Sequence, residues 1–197
     1  MVAGPTRRGF LRRAGAVAVP ALGAFALGGC GGDEEPVRDE GALLGTVPAT
    51  VAESEGGDVA LLNSALAAEH LAIAAYTAAM PLLEGLARDS ARRFLAQERQ
   101  HAARLRELIA GLGATAAEPL PSYDFDPPGN QAETLRLLQH VERKAIVVYG
   151  GVVPRLADPL LRATAASIAT TEAEHVAALR MRLALWPAPT PFVTGAS

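Results

Sequence analysis

The sequence predicts an all-α protein, a bundle of four helices arranged as two antiparallel hairpins joined by one long crossover. Three observations carry this. Half of the residues are apolar, yet only 5% are aromatic, and alanine and leucine supply the hydrophobicity, a balance that favours helices over pleated sheets. Four stretches repeat apolar residues at helical spacing. Proline and glycine fall between those stretches rather than inside them, apart from Pro159 in an expected first turn.

The first helix is expected from Val59 to Met80, stopped by Pro81. The second runs from Asp89 to Ala110 and ends at Gly111-Leu112-Gly113, a glycine C-cap signal. The third covers Gln131 to Tyr149, ending before Gly150-Gly151. The fourth opens at Asp158-Pro159, an N-cap followed by proline in the first turn, and reaches Trp186 before Pro187. Short connections join helices one to two and three to four, which suits antiparallel neighbours. The stretch between helices two and three holds four prolines and is long enough to run the length of a bundle. Ser122 to Asp126 is expected to anchor that crossover.

The N-terminal segment has a different character. Arg7-Arg8-x-Phe10-Leu11 and a short apolar run precede Leu27-Gly28-Gly29-Cys30, the layout of an export signal rather than of a folded element. Arg7 and Arg8 resemble the twin-arginine export consensus, and Leu27 to Cys30 resembles the lipobox of bacterial lipoproteins. The resemblance implies a signal over residues 1–29 and lipidation at Cys30, which would account for a single unpaired cysteine. Residues 30–58 then read as a flexible tether, 59–186 as the bundle and 187–197 as a flexible tail. The expected location is the outer face of the cytoplasmic membrane of a bacterium, with the membrane as partner through Cys30. A net charge of −3 without a basic stripe beyond the leader argues against nucleic acid. A homodimer is admitted, and no specific protein partner is inferable.

Helical phase places six polar residues on the apolar faces. Helix two turns Glu98 and His101 inward with Phe94, Ala102 and Leu105; helix four does the same with Glu172 and His175 beside Ile168 and Leu179. Helix one carries Glu69, and helix three Glu142. Each is followed seven residues later by an inward tyrosine, Tyr76 and Tyr149. The chain is thus an internal repeat, Glu-x6-Tyr then Glu-x-x-His, written twice. His70 and His140 fall out of phase and are expected at the boundary or the surface.

Four carboxylates converging in an apolar core would each cost several kcal/mol uncompensated. Two divalent cations would cancel them, with neutral imidazoles completing the ligand sets; a protonated network without metal is the alternative reading. One Glu from each of two helices with Glu-x-x-His from each of the other two is the di-iron carboxylate constellation. On these residues the chain resembles the ferritin-like superfamily, most closely its exported bacterial ferritin-like domain proteins. The resemblance implies that Glu98 and Glu172 bridge two metals, that Glu69 and Glu142 bind terminally, and that His101 and His175 each take one ion. It implies Tyr76 and Tyr149 as hydrogen-bond donors to the carboxylates. The cofactors implied are two iron ions, with manganese or a mixed pair as alternative. The implied activity is an oxidoreductase of ferroxidase or peroxidase type, oxidising Fe(II) or reducing oxygen or peroxide; a di-manganese catalase shares much of the ligand set. A closed storage shell fits poorly with a lipid anchor. The contrasting reading is a non-catalytic envelope module for binding or stress protection.

Overall fold

A computed structural model describes residues 57–195. The export and lipidation residues Arg7, Arg8 and Cys30, and nearly all of the tether, lie outside the described residues. Four helices make up the domain: α1 (Asp58–Ala79), α2 (Gly85–Gly111), α3 (Gln131–Val152) and α4 (Pro159–Arg182). No strand is present among the described residues. Helix α1 packs against both α2 and α3, and α3 packs against α4, whereas α2 and α4 touch far less.

Local chemistry sets most of the ends. Pro81 and Pro154 each fall in a short 3-10 turn that finishes a helix, because proline has no N–H to continue the α-helical ladder. Asn130 caps α3 by accepting from the Glu133 N–H at 3.0 Å, while the Glu133 side chain reaches back to the Gly129 N–H at 2.7 Å. Asp158 caps α4 through the Leu160 N–H at 2.6 Å. Helix α2 ends in a Schellman motif: the Gly113 N–H bonds Ala110 O and the Ala114 N–H bonds Ile109 O, with Gly113 in the left-handed region at φ 75°.

Three boundaries depart from the sequence expectation. Helix α2 begins at Gly85 rather than Asp89, because buried Leu83 and Ala87 tie its first turn to the core. Helix α3 runs through Gly150-Gly151 to Val152, since Val152 and Leu156 are buried beyond the glycines and hold the backbone helical. Helix α4 stops at Arg182, short of Trp186. Its terminus is a second Schellman motif, Ala184 N–H to Met181 O and Leu185 N–H to Arg180 O. There an alanine, not a glycine, occupies the left-handed position at φ 57°.

Asp58, expected in the tether, is instead the first residue of α1. Its carboxylate accepts from the backbone N–H groups of Ala157 and Asp158 at 2.7 and 3.2 Å. The start of α1 therefore meets the end of α3, and the two helices are antiparallel. The crossover begins beside the start of α1, where the Ala117 N–H donates to Asn63 Oδ1 at 2.7 Å. It finishes with Tyr123 and Phe125 stacked on each other and packed against the opposite end of the core. That is the anchoring role expected for Ser122 to Asp126.

The helix ends generate a stability prediction. Left-handed backbone costs an L-residue roughly 1–2 kcal/mol, so Ala184→Gly should stabilise the domain by about 1 kcal/mol. Helical Gly150 and Gly151 have open space where a Cβ would stand, so Gly150→Ala/Gly151→Ala should add roughly 0.5–1 kcal/mol per site. Urea denaturation followed by circular dichroism measures both, and a lower midpoint in either variant would contradict these end assignments.

Candidate metal centre

Amphipathic phase turns the six polar residues inward, and the bundle brings all six together. Glu69, Glu98, Glu142, Glu172 and His175 are buried, and His101 is partly so. Their donor atoms form two overlapping groups. Glu69, Glu98, His101 and Glu172 each place one ligand atom within 4.8 Å of the others, and so do Glu98, Glu142, Glu172 and His175. Glu98 and Glu172 belong to both groups; the other four belong to one each.

His101 Nδ1 lies 3.0 Å from Glu172 Oε1 and 3.5 Å from oxygens of Glu69 and Glu98. His175 Nδ1 lies 2.9 Å from Glu98 Oε1, 3.2 Å from Glu142 Oε1 and 3.6 Å from Glu172 Oε2. Despite these approaches, both Nδ1 atoms and six carboxylate oxygens are buried without a hydrogen-bond partner of proper geometry. They comprise both oxygens of Glu98 and of Glu172 and one each of Glu69 and Glu142. Buried polar atoms are ordinarily satisfied. Eight orphans facing common points are a donor set of oxygen and imidazole nitrogen, which fits divalent iron or manganese.

The tyrosines complete the polar core crosswise. The Tyr76 hydroxyl of α1 donates to Glu142 of α3, and the Tyr149 hydroxyl of α3 donates to Glu69 of α1. Two antiparallel helices carrying the same Glu-x6-Tyr repeat must pair in this reciprocal way. Burial, reinforced by those carboxylates, pushes both phenols well above their usual range, so they remain neutral donors.

Two participants escaped the sequence reading. Gln97 Oε1 lies 3.0 Å from His175 Nε2, and the Phe94 ring stacks on the imidazole with centroids 4.2 Å apart. Phe94 reads from its phase as ordinary core, and Gln97 lies off the apolar stripe; only the approach of α4 gives either a partner. His70 is more deeply buried than its phase implied, with Nε2 3.3 Å from the Arg106 guanidinium. Burial and then the Arg106 charge lower its basicity. His140 sits half-buried at the boundary. Neither joins the donor groups.

In the metal-free chain, protons do the charge compensation. Burial pushes the Glu69 carboxyl up to about 8, with Glu172 and Glu98 adding to the rise and His101 opposing it. Burial likewise raises Glu142 well above the usual carboxylate range, against the pull of His175. For the imidazoles burial works downward but is outweighed by the surrounding carboxylates, which lift His101 to about 12 and His175 to about 11. Burial would raise Glu172, but His101 and His175 together bring it down to about 2. At pH 7 Glu69 thus largely keeps its proton and both imidazoles are charged.

Loading both donor groups with divalent metal at pH 7 should therefore displace the protons of Glu69, His101 and His175, a release of about three or more per chain, measurable by pH-stat titration. The linkage has a definite sign. Glu69 and both histidines have folded values above their unfolded ones, so their stabilisation is full below the unfolded values and is lost as pH rises. The metal-free chain should melt at progressively lower temperature from pH 5 to pH 8, while the gain on adding Mn(II) grows over that window. A metal-free melting temperature that rises across pH 5–8 would contradict the protonated core.

A family model described as the ferritin-like domain matches residues 57–184. No curated protein matches the chain. Among solved structures, a conserved hypothetical protein from Mycobacterium tuberculosis is 24% identical, with a TM-score of 0.62 over 68% of this chain and 96% of that one. Ferritin-like diiron-carboxylate proteins from Bacillus anthracis are 24% identical, with a TM-score of 0.56 over 64% and 94% of the two chains. A bacterioferritin-related protein from Bacteroides fragilis, described as a dodecameric thioferritin, is 23% identical, with a TM-score of 0.58 over 64% and 84%. These likenesses agree with the four-helix architecture, and the matched segment spans all four helices and all six donor residues. The chain belongs to the ferritin-like domain family.

Proposed function

We propose that the protein is a di-metal carboxylate oxidoreductase in which Glu69, Glu98, Glu142, Glu172, His101 and His175 hold two ions of iron or manganese. The observation that carries this reading is the set of eight orphaned donor atoms in two groups sharing Glu98 and Glu172. Because both groups share them, Glu98 and Glu172 would serve both ions, with Glu69 and His101 holding one and Glu142 and His175 the other. Bound ions would supply one electron each, enough to reduce a peroxide and two protons to two waters.

The chain's own residues set the geometry. Tyr76 and Tyr149 each occupy one oxygen of a terminal carboxylate, which orients Glu142 and Glu69 and leaves the second oxygen of each free. Gln97 accepts from His175 Nε2–H, so the neutral tautomer turns its Nδ1 lone pair toward Glu98 and Glu142. Phe94 seals that imidazole from solvent.

Elemental analysis of the purified chain tests the centre. About two iron or manganese ions per chain are expected, and Glu98→Ala/Glu172→Ala should lose both while circular dichroism checks that its helices persist. Metal retained by the folded double variant would remove the bridging assignment. Two metals without consumption of oxygen or peroxide would leave a binding or stress-protection module.

We also propose that the domain is exported and held at the membrane through Cys30, on the strength of Arg7-Arg8 and the Leu27 to Cys30 sequence. Cys30→Ser should move the protein from the membrane to the soluble fraction of the expressing cell. An unchanged distribution would rule out the lipid anchor.

A further inference from the structure

The two halves of the site come from one repeat but have different surroundings. On the His175 side, Phe94 covers the imidazole and Gln97 takes its outer nitrogen; the His175 side chain is 2% exposed. Phe94 and Gln97 stand four residues and one residue before Glu98, and the equivalent positions before Glu172 are Ile168 and Thr171. Those two instead line an open cleft of about 580 Å³ that reaches His101. The His101 side chain is 13% exposed.

The cleft follows the seam between α2 and α4, which pack less closely than α1 does on α2 or α3, or α3 on α4. Its walls include Gln100, Arg104, Ser167 and Thr171. These are hydroxyl, amide and guanidinium groups, and no carboxylate lines the cleft. Apart from His101 itself, the one charge is Arg104, about half exposed and 3.1 Å from Glu107.

Such walls offer a metal cation no anionic ligand to replace its water, so entry this way carries an uncompensated desolvation cost. A loaded centre gives no attraction either, because two divalent ions and four carboxylates are neutral together. A small neutral molecule or single anion meets no carboxylate on the way and finds the Gln100 amide and Ser167 hydroxyl, and Arg104 favours the anion.

We infer that this cleft is the entry to the His101 half of the centre and admits a small neutral or singly anionic oxidant, dioxygen or a peroxide, rather than a metal cation. The inference rests on the di-metal reading above. It makes the two halves unequal: the His175 ring is enclosed, and the His101 ring, with its Nδ1 buried like the carboxylates, stands between the cleft and the metal position.

The test uses the purified chain loaded with Co(II), whose visible absorption reports its ligands, and azide as the small anionic probe. Ser167→Phe places a ring in the cleft from an exposed position. Thr170→Phe, exposed on α4 but absent from the cleft lining, is the control. Cobalt content should be equal in all three. The azide dissociation constant should rise about tenfold or more in Ser167→Phe, a loss of at least about 1.4 kcal/mol, and stay unchanged in Thr170→Phe. Arg104→Glu should also weaken azide binding, more at low salt than at high, and it reports on the same cleft should Ser167→Phe lose cobalt. Unaltered azide binding in cobalt-loaded Ser167→Phe and Arg104→Glu would overturn the entry route while leaving the metal centre intact. Failure of the parent chain to take up cobalt would overturn the di-metal reading and this inference with it.

Discussion

Four buried carboxylates inside an apolar bundle are the constraint on which the rest of this structure depends. Each would be strongly unfavourable there if ionised and alone. The fold meets the cost through two histidines, two tyrosines and bound protons. Under the proposed di-metal reading the same donor atoms would exchange those protons for metal ions, which links protonation, metal loading and stability in one equilibrium. The core around the site is otherwise plain, built largely of alanine and leucine.

The duplicated Glu-x6-Tyr and Glu-x-x-His pattern explains much of the internal order. Antiparallel packing of α1 on α3 turns one repeat into two reciprocal hydrogen bonds, Tyr76 to Glu142 and Tyr149 to Glu69. Each tyrosine then fixes a carboxylate on the other helix, so α1 and α3 cannot slide without breaking both bonds. On α2 and α4 the repeat sets the two histidine rings near-parallel, with centroids 6.4 Å apart.

Departure from that symmetry is where individuality enters. Phe94 and Gln97 close one half, while Ile168 and Thr171 leave the other beside a polar cleft. Two near-identical donor groups thereby differ in exposure, with the His101 side chain 13% and the His175 side chain 2% exposed. No short connection joins either α1 to α3 or α2 to α4, and of these two seams α2–α4 is the looser.

The sequence by itself determined the helical class, the crossover and the six inward donors, because 3.6-residue periodicity places Glu and His on a face whether or not a partner helix is known. It also held the caps whose chemistry is local, such as Asn130, Asp158 and Gly113. It did not determine where α3 and α4 stop. Gly150-Gly151 looks like an end but is kept helical by the burial of Val152 and Leu156 beyond it, and Ala184 takes a left-handed conformation that its side chain alone disfavours. The pairing of each tyrosine with the opposite glutamate, the burial of His70 under Arg106, and the roles of Gln97 and Phe94 were decided only by the tertiary structure. All of these are contacts between residues far apart in the chain, and they depend on how helices dock rather than on what any one helix prefers.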